Sequence, residues 1–185
     1  MSRKMNVGVF ISVMWLVFTG WLDPHRMAGA QNRSRPEQYE FSAESPDVLR
    51  PVVIPTDILG LLKNDARVRD TLAYEGISSS HLPLSWFSAA VVHLGDHAER
   101  DVVIVAKPPL IGANTTTFWV FRPGSYGYVL VLRAAAHDLT LQRTRWRGYR
   151  EIELAGETAS TITTALFRFD GTRYRKYKQM TKDIH

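Results

Sequence analysis

The chain has no cysteine among its 185 residues. That excludes disulfides, thiol nucleophiles, cysteine-bound zinc and a lipid anchor carried on cysteine, so stability has to come from a buried core. Gly-x-Ser-x-Gly is absent as well, and with it the strained strand-to-helix turn that presents a hydrolase serine. The Ser/Thr-rich run Thr158–Thr164 alternates as an exposed strand face does. A large excess of one charge is also lacking. The 23 Lys and Arg against 18 Asp and Glu give a formal +5, too little for a dedicated nucleic-acid binder. The last gap is local: no charged residue occurs between Lys4 and Asp23.

That uncharged stretch, Val7 to Leu22, follows Arg3 and Lys4 and is followed in turn by Ala28-Gly29-Ala30. A basic start, an apolar middle and small residues at −3 and −1 are the parts of a secretory signal, with cleavage expected between Ala30 and Gln31. An uncleaved anchor is the rival, because the run approaches bilayer-spanning length. Cleavage leaves no stable membrane span and places the protein in the periplasm or outside the cell. The sequence thus divides into a signal peptide at 1–30, a flexible polar tether at 31–50 and one β-rich domain at 51–185. Loss of the signal lowers the net charge from +5 to +3. The remainder is uneven: residues 143–185 hold ten cations and five acids, residues 31–142 ten and twelve.

Pro51 and Pro55 impose an extended start. Thr56 reads as a helix N-cap, and Ile58, Leu61, Leu62, Val68 and Leu72 recur at helical spacing, so one helix is expected over 57–73. Gly76 and Ser78-Ser79-Ser80 end it. From Trp86 the period becomes that of strands. Eight are expected, at 87–94, 101–106, 116–121, 128–132, 139–145, 149–154, 160–169 and 172–177, the last two around Asp170-Gly171, which suits a tight hairpin. The fold class is therefore mainly β: an antiparallel meander of about eight strands, with one short N-terminal helix on or beside it. Gly127-Tyr128, Gly148-Tyr149 and Arg173-Tyr174 open three returning strands at spacings of one ββ unit, the pattern of an internal repeat or of hairpin economy. In the strand at 116–121, Phe118 and Val120 face opposite to Trp119 and Phe121.

Trp86-Phe87, Gly112-Ala113-Asn114-Thr115-Thr116, Phe118-Trp119-Val120-Phe121-Arg122, Gly148-Tyr149-Arg150-Glu151-Ile152 and Phe167 through Tyr174 together resemble a group of uncharacterised exported bacterial β-rich proteins. The resemblance covers most of the chain after the signal and implies fold and location. Within it, Val91–Ile104 is similar to the loop of FG-GAP repeats, where oxygens at alternate positions hold calcium. Here those positions are His93, Gly95 and His97, closed by Asp101. Imidazoles and a glycine are not hard oxygen ligands, so the segment reads as a hairpin whose loop has lost its ion. His93 and His97 with Asp96, Glu99 and Asp101 supply too few clustered ligands for zinc in so short a turn.

Other chemistry is similarly thin. Glu151 and Glu153 lie two apart on one strand face, but neighbouring cations disfavour the raised pKa that a glycosidase acid needs. Asn114-Thr115-Thr116 matches a glycosylation acceptor and reads as turn chemistry. Trp146 between Arg145 and Arg147 has the composition of a recognition hot spot. A binding surface is therefore expected at Arg143, Arg145, Trp146, Arg147 and Arg150, with neither cofactor nor metal nor nucleic acid. The expected partner is an acidic protein, a polysaccharide or a lipid headgroup of the envelope, and inhibition of a secreted enzyme is one version of that role. The alternative is an enzyme with an unrecognised site, a hydrolase of envelope material, which needs a pocket gathering residues distant in sequence.

Overall fold

The computed structural model describes residues 37–96 and 99–184. The signal segment, residues 31–36 of the tether and His97 lie outside them. The expected helix is two. Helix α1 runs Thr56–Lys63 and α2 runs Ala66–Tyr74. The break follows from Asp65, whose carboxylate accepts from the amides of Arg67 and Val68 and so starts a second helix. Thr56 is the first helical residue rather than the cap, which is Pro55. Helix α2 closes with Gly76 at φ +67° and the Ile77 amide bonded to the Leu72 carbonyl, the left-handed ending that glycine permits.

Among the described residues the strands number nine. Sheet one holds β2 (Phe87–Val92), β3 (Asp101–Ala106), β4 (Thr116–Gly124) and β5 (Gly127–Ala136), antiparallel and in that order. Sheet two has the order β1-β6-β7-β8-β9, with β1 at Glu40–Ser42, β6 at Asp138–Trp146, β7 at Tyr149–Glu157, β8 at Thr161–Phe169 and β9 at Tyr174–Asp183. The eight expected strands are all present, but the meander breaks at His137, where the chain passes from one sheet to the other. The ninth, β1, falls in the stretch read as tether. Three residues pair there with β6 because Phe41, facing inward, fills the core between the sheets.

The four-stranded sheet is the middle layer. On one side Phe118 and Val120 meet Leu139, Leu141, Ile152, Leu154 and Phe169 of the other sheet. On the other side Trp119 and Phe121 lie under Ile58, Leu62, Val68 and Leu72 of the helices. Both faces of β4 are thus core, and all six residues of β3 are buried. Each such Val, Leu, Ile or Phe contributes about 1.5–3 kcal/mol by leaving water. Trp119 also donates its indole N–H to Asp65 at 2.9 Å, tying the helix break to the sheet.

The five-stranded sheet has one face in the core. Among the described residues no helix or strand covers the other, which alternation assigns to Glu40, Thr140, Gln142, Glu151, Glu153, Leu166 and Arg168. No helix of the described residues is long and apolar enough to cross a membrane.

Candidate functional site

The β6–β7 hairpin turns on two residues, Arg147 and Gly148, at φ 51° and 83°. That is the turn that matches strand twist, and it favours Asn-Gly because both positions need positive φ. Arg147 is the only non-glycine residue with positive φ among those described. Trp146 is accordingly not in the turn but ends β6, opposite Tyr149, and is 41% exposed.

The five residues expected to bind do not act alike. Arg145 pairs with Asp96 at 2.8 Å and donates to the Gly148 carbonyl at 2.9 Å. Arg150 donates to the carbonyls of His93 and Gln142, each at 3.1 Å, and lies over the Tyr39 ring. Both therefore fasten the 93–96 loop and the N-terminal strand region to the hairpin. Arg143 and Arg147 stay exposed, with Arg147 5.7 Å from the Trp146 ring.

Trp146 belongs instead to a cluster on the uncovered sheet face. The Arg168 guanidinium lies 4.4 Å from the Trp146 ring centre and 3.8 Å from that of Tyr177. Its Nε donates to Glu151 at 2.5 Å, and Thr144 donates to the same carboxylate at 2.7 Å. A register shift between Leu166 and Phe167 adds an unmatched residue to β9, Tyr177, which stands over Arg168. Burial opposes ionisation of Glu151, but hydrogen bonds from Arg168, Thr144 and Tyr177 outweigh it and hold the carboxyl below the usual range. The group is a fixed anion, unsuited to donating a proton. Glu153 accepts from Gln142 at 2.9 Å. What the cluster presents outward is two aromatic rings, each 41% exposed, held rigid by the cation that they cover.

Beneath the hairpin, Asp101 is fully buried and accepts from the Leu94 amide at 2.8 Å and Arg122 Nε at 3.0 Å. Arg122 also meets Glu99 and lies over Tyr149 and Phe169, at 4.4 and 4.9 Å from the ring centres. Burial pushes the Asp101 carboxyl up, against the Leu94 amide and Arg122. Asp101, which would close a calcium set, thus anchors the loop from within. His93 offers its amide to Glu37.

Two of the hollows among the described residues border β1 and His137. One of about 570 Å³ has Glu37, Glu40, Asp47 and Asp138 in its wall. The other, about 430 Å³, gathers Glu44, Asn114, His137, Glu157 and Thr158. His137 Nδ1 is 3.0 Å from Asp138, and the Asp138 contact, aided by Glu44 and Glu157, raises its pKa against a weaker effect of burial. The Thr158 hydroxyl bonds to Thr161 within its own turn and is not held against the histidine as a nucleophile would be. His137 carries no motif; only its place between two strands marks it.

No family model, curated protein or solved structure matches the chain.

Proposed function

We propose that this chain is an exported binding module of the bacterial envelope, periplasmic or secreted, that works without cofactor and engages an acidic partner through the uncovered face of its five-stranded sheet. Arg168 held between Trp146 and Tyr177 is the observation that carries this reading. Aromatic rings fixed in place lose little entropy on contact, which is what a recognition anchor needs. Arg147, 5.7 Å from the Trp146 ring, supplies charge that steers an acidic partner. Export is supported by the order of parts in the first 30 residues. An inhibitor of a secreted enzyme would use the same surface.

The test is capture from envelope extract by wild type and by Trp146→Ala, read beside chemical denaturation of both. Anchoring predicts about 2 kcal/mol or more of lost binding. Because more than half of the ring is covered, a stability loss of about 1–2 kcal/mol is expected alongside, below the roughly 3 kcal/mol of a core aromatic. Unchanged capture by a folded variant refutes the assignment.

A further inference from the structure

The two sheets have four outer edges, and they are not equivalent. Strand β1 is three residues long, too short to template a neighbour. Strand β2 is met by the 47–52 segment, the Val52 amide donating to the Ala89 carbonyl at 2.9 Å and Ser88 reaching Asp47. Strand β5 starts with its Tyr128 amide on the Asp57 carboxylate, carries Arg133 bonded to Asp65, and ends by turning at His137 into β6. The ten residues of β9 are different: all except Tyr174 are exposed. Among the described residues, the backbone of 174–184 bonds only to β8 and, through Ile184, to Ser160, with the Arg173 carbonyl closing the turn before it.

Strand β9 carries Arg175, Lys176, Lys178 and Lys182 against the single acid Asp183. The partners facing these cations on β8 are Arg168, Phe167, Leu166 and Ile162, so no acid answers them across the pair. Arg175 reaches back to Asp170 and Lys176 to Gln179. Lys176, opposite Phe167, and Lys178, opposite Leu166, fall on opposite faces of the sheet. Cations therefore flank this edge above and below. Lysine on an edge strand keeps identical copies from pairing, since like charges would stand opposite one another. The same cations favour an incoming strand of opposite sign, so one feature rejects self-association and selects a partner.

We propose that β9 accepts an extended acidic segment of another protein as a sixth strand of the sheet, the main chain supplying hydrogen bonds and the cations supplying selection. The proposal rests on the binding-module reading but uses a different surface from Trp146, so the two fail separately.

The probe is a ten-residue peptide alternating Glu or Asp with Thr and Val, titrated against the full chain. It is compared with a copy N-methylated at alternate residues, which keeps the charge but cannot complete a ladder. The expected results are at least tenfold weaker binding of the methylated copy and new amide-exchange protection across 174–183 with the unmodified peptide. Lys178→Glu with Lys182→Glu should weaken binding by roughly fivefold or more, each pair being worth up to about a fivefold change, while melting stays unchanged. Equal binding of both peptides would show a charge-only contact and overturn the proposal, as would equal binding of a lysine-for-glutamate peptide or none below 1 mM by order of magnitude. Trp146→Ala should leave peptide binding intact; if it alone abolishes binding, the sheet face and not the edge is the site.

Discussion

Replacing Arg122 with methionine tests the charge arrangement under the hairpin. Arg122 is 11% exposed in its side chain and Asp101 not at all, so removing the guanidinium strands a carboxylate that keeps only the Leu94 amide. Breaking a buried pair on one side costs about 3–5 kcal/mol, and methionine restores much of the packing against Tyr149 and Phe169, which limits further loss. Burial holds the Asp101 pKa above its ordinary value, so the folded state binds that proton more tightly than the unfolded chain. Its contribution is then full below the ordinary carboxylate pKa and is lost as pH rises through the folded value. Without Arg122 the folded value rises further, so the variant's deficit should be larger at pH 8 than at pH 5. Urea unfolding at both pH values, with unchanged slope, measures it. Asp101→Asn added to Arg122→Met should recover most of the loss, because no uncompensated charge remains. A deficit below about 1 kcal/mol, or one that does not grow with pH, would refute the reasoning.

Arg147→Asn should raise stability by about 1 kcal/mol, since a residue at ease with positive φ replaces one that is not; denaturant midpoints check this, and a fall would mean that the turn is unstrained. The raised pKa of His137 makes its stabilisation complete below about 6.5 and progressively lost as pH climbs through the folded value. His137→Gln should flatten that part of the pH–stability curve, and an unchanged slope would assign it to another group. Bulky residues at positions 28 and 30 should leave a longer, membrane-retained form, whereas an exported wild type sequenced from Met1 would support the anchor.

Strands were legible where apolar alternation or a dense β-branched run stood between turn residues. Asp101–Ala106 and the Asp170-Gly171 hairpin are instances. Three kinds of feature were not. Strand β1 has no periodicity in three residues and exists because Phe41 meets partners a hundred positions on. The break at Asp65 carried a readable capping residue, hidden by apolar spacing that runs across it. The sequence predicts the last strand only to Tyr177, whereas β9 extends to Asp183, since an edge strand needs no apolar face to signal it. The binding cluster was half legible: Trp146 stood out between its arginines, whereas Glu151, Arg168 and Tyr177 join it through strand pairing and a register shift.

The layering also bears on how the chain assembles as it emerges from its N-terminal end. The helices and sheet one draw only on residues 52 to 136, so this part has its helix-side core complete before β6 exists. Its other face, with Phe118 and Val120, must wait in water for sheet two. Residues 40–42, the first of the described strands, have no pairing partner until β6 arrives almost a hundred residues later. The earliest of the described strands therefore docks only once all of sheet one has been made, and it then forms one edge of sheet two while β7, β8 and β9 are still to be added at the other.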